Sequence, residues 1–212
     1  MKYRINIIEI ILGATFAFAS CASKLETPPP PVYSDTRTMT IRLNQEQQTI
    51  DGFGASDAWR CQMVGKYWPE AKKNAIADLL FSKEVDEKGN PKGIGLSIWR
   101  FYLGAGSMEQ GPESDISDEW RRAECFQAAD GTYNWQKQEG QRWFLQAARQ
   151  RGVEKYLAFT ISAPVHMTLN GKAFSSQKQK MNIKENMMPA YADFLVDCID
   201  NLQKNEGITF NY

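Results

Sequence analysis

The sequence predicts an α/β fold in which successive strand and helix units build a parallel sheet. Extended segments recur near residues 50, 95, 157 and 208, and amphipathic helical segments lie between them. The composition is that of a globular protein, since 42% of the residues are hydrophobic and 24% are charged. Both an open doubly wound sheet and an α/β barrel fit this alternation.

The strands are predicted from their period and their apolar content. Thr38–Leu43 alternates between polar and apolar residues, as a half-exposed strand does. Gln48–Gly54 is extended and ends in a glycine-rich turn. Ile94–Leu103 and Tyr156–Ile161 are almost wholly apolar, which is typical of parallel strands covered on both faces. Ile208–Tyr212 is predicted to begin a fourth strand of the parallel sheet.

Three helices are predicted between these strands. Pro69–Phe81 begins with a proline, which suits the first helical position, and carries one apolar face. Gln138–Arg151 is stopped by a glycine, and Met188–Lys204 has the most regular apolar spacing. The polar segment Gly104–Trp135 is predicted to be a loop, and its length favours a functional role. Its acidic residues are interpreted as a solvated surface: Glu109, Glu113, Asp115, Asp118 and Glu119.

The first residues are predicted to direct export. Lys2 and Arg4 precede an apolar run over residues 5–18, and small residues then lead to Cys21. This order describes a secretory signal over residues 1–20. The Ala-Ser-Cys ending is similar to a bacterial lipoprotein signal, in which Cys21 is acylated. Ordinary secretion with an unmodified Cys21 is the alternative.

Residues 21–37 are predicted to be a tether. They include Pro28–Pro31, which favours extended polyproline geometry, and they carry little apolar material. The expected location is therefore the bacterial cell envelope, at the outer membrane or the cell surface, with a lipid anchor at Cys21 holding residues 38–212 at the membrane.

Composition excludes several classes of function. The chain has 25 basic and 25 acidic residues, so no net charge favours nucleic acid. Its single histidine excludes His-rich metal sites and the helical H-E-x-x-H motif. The glycines of Gly104–Gly106 enter a polar loop and complete no G-x-G-x-x-G motif before a helix. No metal, cofactor or nucleic acid partner is expected.

Three cysteines remain in the domain if Cys21 is lipidated. Cys61 and Cys125 both follow predicted strands, and an oxidising compartment permits a disulfide between them. Cys198 lies in a helical apolar stripe and is predicted to be a buried thiol.

Three segments carry recognisable motifs: Gln48–Trp59, Gly95–Phe101 and Phe159–Met167. Together they resemble glycoside hydrolase family 30, since Gln48–Trp59 is similar to the first barrel strand of that family and Gly95–Phe101 is similar to its second. Phe159–Met167 lies where the family carries a Ser-Pro-x-x-x-Met loop after strand three. Order and spacing agree from about Thr40 to Tyr212, and the endo-β-1,6-galactanase-like members are the ones most resembled.

The resemblance implies a (β/α)8 TIM barrel with an appended β-sandwich, of which residues 38–212 would form an incomplete part. That part would contain roughly the first four strands and three helices, and Thr38–Leu43 would belong to the sandwich. Family members cleave β-glycosidic bonds with retention, which needs two carboxyl groups about 5–5.5 Å apart. In the family these are glutamates that end strands four and seven, whereas this sequence ends at Phe210-Asn211-Tyr212.

The chain is therefore predicted to be an N-terminal fragment of a retaining β-glycoside hydrolase, without catalytic residues of its own and inactive alone. Its expected partners are a β-linked polysaccharide or oligosaccharide and the missing C-terminal half of the barrel. The alternative is a non-catalytic, surface-tethered glycan-binding lipoprotein.

By the same resemblance, five residues are predicted to bind substrate at one rim, because barrel active sites lie at the carboxyl ends of strands. Arg100 would donate to sugar hydroxyls or to a catalytic carboxylate, or form a structural ion pair. Asp57 would accept hydrogen bonds from sugar or cap a turn. Trp59 would stack on sugar or pack in the core. Ser162 and His166 are placed by loop position, and a solvated histidine is the alternative for His166.

Overall fold

The structure is a computed structural model that describes residues 38–175 and 181–212. The predicted signal, the tether and the lipidated Cys21 lie outside the described residues. The chain divides into two units, one ending at Gln48 and the other spanning Thr49–Tyr212.

The predicted strand Thr38–Leu43 is not formed in the described part of the first unit. Residues 38–48 are exposed, and a turn in which the Gln45 N–H donates to the Arg42 carbonyl (3.2 Å) is their one backbone hydrogen bond. A segment with an alternating pattern forms a strand only where a neighbouring strand makes hydrogen bonds with its backbone N–H and C=O groups. The described residues of this unit contain no such neighbour.

The second unit is built on a parallel sheet of three strands in the order β1-β2-β3. The strands are β1 (Gly54–Ser56), β2 (Ile98–Tyr102) and β3 (Lys155–Phe159). Ser56 pairs with Arg100, and Arg100 pairs with Leu157. The parallel sheet predicted from the sequence is confirmed. β1 starts only at Gly54, since that residue is the partner of Ile98, where β2 begins.

The predicted fourth strand is present as a segment bonded to β3 rather than as a regular strand. The Asn211 N–H donates to the Tyr156 carbonyl (2.8 Å), and the Ala158 N–H donates to the Tyr212 carbonyl (3.0 Å). This segment therefore continues the order of the sheet beyond β3.

Helices lie between and after the strands. The three predicted helices are formed as α2 (Glu70–Phe81), α4 (Glu139–Gln150) and α5 (Met188–Glu206). The sequence analysis missed α1 (Arg60–Tyr67) and the single turn α3 (Ser107–Gln110). Within the described ranges, no helix is long and apolar enough to cross a membrane. Short 3-10 turns occupy Gly111–Ser114, Glu119–Arg121, Val165–Met167 and Glu185–Met187.

Helices α1 and α4 approach each other so closely that their backbones touch. A Cβ atom on Gly65 would lie 2.2 Å from the Gly140 carbonyl oxygen, and one on Gly140 would lie 2.0 Å from the Gln62 carbonyl oxygen. Only glycine fits at either position. The position of helix α1 therefore depends on a contact with a helix more than seventy residues away in the chain. No local sequence pattern predicts that contact.

The core lies between the sheet and the helices. Side chains alternate along β2, so Trp99 and Phe101 share one face and both are buried. The Trp99 ring meets Phe81 of α2 edge-on, with ring centroids 4.9 Å apart, and it stacks on Phe144 of α4 at 6.4 Å. Arg100 is exposed on the opposite face.

The predicted Cys61–Cys125 disulfide is not formed. Cys61, Cys125 and Cys198 are free thiols, and each one packs in or against the apolar core. Burial raises the pKa of the Cys125 thiol to about 12, and burial likewise raises that of Cys61. Both side chains are therefore neutral at physiological pH and act as small hydrophobic residues.

Candidate functional site

A cavity of about 310 Å³ opens where the carboxyl ends of β1 and β2 meet the long loop of residues 104–135. In parallel α/β folds this edge of the sheet is where ligands bind. Its walls come from the turn after β1, the end of β2, the long loop and the segment after β3. The lining residues are Trp59, Tyr102, Ser107, Asp115, Ile116, Ser117, Asp118, Arg121, Ile161, Ala173 and Phe174.

Trp59 and Tyr102 form an aromatic corner of this cavity. Their rings meet edge-on with centroids 6.2 Å apart, and the Arg121 guanidinium lies 5.0 Å from the Trp59 ring. Burial raises the pKa of the Tyr102 phenol to about 12, so the phenol stays neutral. Trp59 has φ 58° and ψ −60°, a conformation that is costly for a residue with a side chain. The surrounding contacts hold this strained turn, which presents the indole to the cavity.

Two carboxylates of the long loop line the cavity, and their side chains remain solvated as predicted, since that of Asp115 is 65% exposed and that of Asp118 is 40% exposed. An Asp118 carboxylate oxygen lies 3.1 Å from the Arg60 guanidinium, and the other accepts from the Trp120 N–H at 3.0 Å. The Asp115 carboxylate lies 3.1 Å from the Lys172 ammonium. Both acids are therefore neutralised locally. The signal that pointed to them was the length of the loop, not its charge.

Asp57 does not face the cavity. Its side chain is 1% exposed, and its two carboxyl oxygens accept from the Tyr102 N–H (3.0 Å) and from the Gln141 amide (3.4 Å). Burial raises the pKa of this carboxyl well above its ordinary value. The predicted contact between Asp57 and sugar is thus replaced by a structural role, in which Asp57 secures the end of β2 beneath the cavity.

A buried polar network extends this support. The Gln138 amide donates to the Tyr102 carbonyl (2.8 Å), and the Gln138 N–H donates to the Glu124 carboxylate (2.6 Å). The same carboxylate accepts from the Gln62 amide at 2.9 Å. Helices α1 and α4 are thereby tied to the end of β2. Sequence reasoning missed these residues, because a buried glutamine has no distinctive local pattern.

Arg100 lies on the open face of the sheet and not in the cavity. Its guanidinium carbon is 3.9 Å from the centroid of the Phe159 ring, which is a cation–π contact. Within residues 38–175 and 181–212 it forms no ion pair, so the predicted alternative of a structural ion pair is not realised.

Ser162 lines a second cavity, of about 420 Å³, which adjoins the first. The two cavities share Ile161 and Phe174, and Tyr191 of α5 contributes to the second. The Ser162 hydroxyl donates to the Ala163 carbonyl at 2.9 Å, and the Thr160 and Tyr191 hydroxyls are 2.7 Å apart.

His166 lines neither cavity. Its Nε2 atom is 3.3 Å from the Gln127 amide oxygen, and the Lys184 ammonium donates to its backbone carbonyl (2.9 Å). Burial, and then the charge of Lys184, lowers the pKa of this imidazole. Of the five predicted residues, the structure brings Trp59 and Ser162 to adjoining cavities and places Asp57, Arg100 and His166 elsewhere.

The side chains around these cavities decide which ligands they can hold. Among the described residues, no group of three or more His, Cys, Asp or Glu side chains is arranged to hold a metal ion. Aromatic rings, hydroxyls and paired charges instead offer apolar faces beside hydrogen-bonding groups. That combination suits ligands that are amphipathic and rich in hydroxyls.

The fold and the site define an α/β domain with two adjoining cavities at the carboxyl ends of parallel strands. The chain belongs to O-glycosyl hydrolase family 30, whose sequence profile matches residues 36–212. The family resemblance of the three motifs is thereby confirmed, and the three-stranded sheet corresponds to part of the family's TIM barrel.

Three solved structures are similar to this chain. The chain is similar to a conserved exported protein from Bacteroides fragilis, with 45% identity and a TM-score of 0.74 over 78% of this chain and 33% of that one. An endo-β-1,6-glucanase (21% identity, TM-score 0.53) is matched over 81% of this chain and 35% of its own length. SrfJ from Salmonella typhimurium (16%, 0.55) is matched over 77% and 33%. The last two show the fold alone. The chain spans about a third of the length of these structures.

Proposed function

We propose that this chain is the N-terminal part of the barrel of a retaining β-glycoside hydrolase, and that it binds a β-linked polysaccharide, with β-1,6-galactan as the expected substrate. The observation that carries the proposal is the pair of adjoining cavities at the carboxyl ends of the strands. Trp59 and Tyr102 provide aromatic surface for the apolar C–H faces of a sugar. A ligand that crosses the shared wall of Ile161 and Phe174 would contact both cavities, as a chain of sugars can.

We propose further that the share of this chain in the reaction is binding rather than bond cleavage. Retention needs a carboxyl pair about 5–5.5 Å apart, one as acid and base and the other as nucleophile. By family resemblance these groups end strands four and seven. The strands β1 to β3 carry none of those positions.

The remaining strand and helix units are the proposed partner. Arg100 is exposed beside the Phe159 ring on the face of the sheet that the helices do not cover. In a closed barrel this face is the interior, so further strands would enclose Arg100 and direct its guanidinium to a carboxylate or a sugar.

Titration calorimetry of the purified full chain with β-1,6-galacto-oligosaccharides tests the binding proposal. We expect binding by the wild type, and a loss of about tenfold or more in affinity for Trp59→Ala. Tenfold corresponds to about 1.4 kcal/mol, which the loss of about 60 Å² of buried apolar surface would supply at about 25 cal/mol per Å². Trp68→Ala is the matched control, since Trp68 is 40% exposed and lies outside both cavities. Equal loss in both variants would count against the site.

A reducing-end assay on the same oligosaccharides tests the proposal that this chain binds the glycan and the remaining barrel units cleave it. The chain alone should release no new reducing ends, and adding the remaining barrel units of a family member should restore hydrolysis. Turnover by the chain alone would overturn the proposed inactivity.

A surface-tethered glycan-binding lipoprotein is the second candidate, and the 45% identical exported protein from Bacteroides supports the export that this candidate requires. We propose export and acylation at Cys21 for this chain too. Mass spectrometry of the protein from a bacterial host should show a lipid on Cys21 that Cys21→Ser removes. Glycan binding without hydrolysis in the presence of added barrel units would favour this candidate over the first.

A further inference from the structure

We propose that Asp57 positions the two aromatic walls of the first cavity, Trp59 and Tyr102, and that glycan affinity falls when the Asp57 carboxyl becomes ionised. This inference rests on the proposed binding of a glycan at these walls. It adds to that function a buried residue that touches no ligand and acts through the two rings.

Asp57 is joined to both aromatic walls. One of its carboxyl oxygens accepts from the Tyr102 N–H at 3.0 Å, and the Asp57 N–H donates to the Arg100 carbonyl at 3.1 Å. The residue is thus bonded twice to the end of β2. Trp59 follows two positions later in the chain, and its indole meets the Tyr102 ring edge-on at 6.2 Å. A displaced Asp57 side chain would therefore change the separation of the two rings.

Trp59 needs this support because its backbone, at φ 58° and ψ −60°, is strained. Such a conformation persists only where the surrounding contacts hold it in place. The Cys61 N–H donates to the Asp57 carbonyl at 3.4 Å, and the Gln62 N–H donates to the Trp59 carbonyl at 3.1 Å. Asp57 anchors the start of this turn, so loss of its carboxyl contact would let the indole move away from the cavity.

The surroundings of Asp57 favour the uncharged carboxyl. The residue is 1% exposed, and its second oxygen is 3.4 Å from the Gln141 amide, which makes a long hydrogen bond. The titratable and charged groups that face it are Cys61 of α1 and Arg100 and Tyr102 of β2, whereas α4 presents the neutral amide of Gln141. Burial raises the pKa of the carboxyl well above its ordinary value. Ionisation would leave a buried charge, which a movement of the side chain towards water would relieve.

Titration calorimetry of the purified full chain with a β-1,6-galacto-oligosaccharide at a series of pH values tests the proposal. This ligand is neutral, so any change in affinity originates in the protein. From about pH 5 to about pH 10, the wild type should lose about tenfold in affinity, since a shift of about 1 Å in a binding group costs up to about 100-fold. Asp57→Asn keeps the shape of the side chain but cannot ionise. It should bind as tightly as the wild type does at acid pH, with no loss as the pH rises.

Asp57→Ala separates positioning from charge. It removes the acceptor of the Tyr102 N–H and should weaken binding by about tenfold at every pH, whereas the Asn variant restores affinity. A structural role alone would lower the melting temperature of the Ala variant and leave the affinity of its folded molecules unchanged. Asp193→Asn is the matched control, because it removes an exposed carboxyl of α5 that lies outside both cavities.

A wild-type affinity that does not change with pH, or a pH dependence that persists in Asp57→Asn, overturns the inference and leaves the proposed glycan binding intact. Full affinity of folded Asp57→Ala overturns it in the same way. If the Ala variant does not fold, the comparison of the wild type with Asp57→Asn decides the question. Failure of the wild type to bind the oligosaccharide at any pH in the series defeats the proposed function and this inference together.

Discussion

The crossing of α1 and α4 yields a stability prediction that the structure makes quantitative. Gly65 lies in the interior of α1, where alanine is normally preferred over glycine by about 1 kcal/mol. A Cβ atom at this position would lie 2.2 Å from the carbonyl oxygen and 2.6 Å from the Cα atom of Gly140. An ordinary contact needs more than 3 Å, so the two helix backbones would have to separate by about 1 Å.

Overpacking of this kind costs about 1–3 kcal/mol or more, and a clash between two backbones belongs at the upper end of that range. Subtracting the helical preference for alanine leaves a net loss of about 2 kcal/mol for Gly65→Ala. In a domain of this size, such a loss lowers the melting temperature by roughly 4–8 °C.

Urea unfolding of the purified chain, followed by far-UV circular dichroism, measures this change. Ala75→Gly in α2 is the matched control, since Ala75 is exposed in mid-helix and reports the glycine–alanine preference without a contact. It should destabilise by about 1 kcal/mol. If Gly65→Ala instead raises stability by a similar amount, the helices do not touch at this point and the described packing is wrong.

Two further predictions concern titratable groups. Burial raises the folded-state pKa of Asp57 above its unfolded value, so the stability that its protonation contributes is present at acid pH and is lost as pH rises through the folded pKa. Asp57→Asn should therefore flatten the decline of the free energy of unfolding with rising pH. An unchanged pH profile would contradict the burial of this carboxyl. Burial, and then the charge of Lys184, lowers the pKa of His166, so Lys184→Met should raise that pKa. An NMR titration measures it directly, because the chain has a single histidine and its imidazole signals need no further assignment. An unchanged pKa in the variant would show that the Lys184 ammonium does not act on the imidazole.

The predicted helices and the two buried strands were recoverable from sequence because their signals are local. Helix α4 carries apolar side chains at helical spacing, and β2 and β3 are short runs of mostly apolar residues, so each pattern is complete within one segment. Helix α1 lacks such a stripe and contains Gly65, which is a poor helix former. It forms where it packs against α4, so the sequence information that specifies this helix lies in two distant segments.

The candidate site, like the fold, could be predicted from local sequence only in part. The family resemblance, with the rule that ligands bind at the carboxyl ends of parallel strands, selected Trp59 and Ser162, which line the two adjoining cavities. It also selected Asp57, whose carboxyl is turned inward by the Tyr102 N–H and the Gln141 amide. Whether a residue after a strand faces a ligand or the protein depends on partners that lie far along the chain.

The sequence by itself determined the family and the parallel sheet, because motifs and periodicity are properties of continuous segments. It also predicted the edge of the sheet at which the two cavities open. Only the tertiary structure decided that Arg121 stands over Trp59, that the loop carboxylates are neutralised by Arg60 and Lys172, and that Asp57 is buried. Packing brings these charges and hydrogen-bond donors together from distant segments. Such a contact produces no periodic pattern in the sequence of either segment.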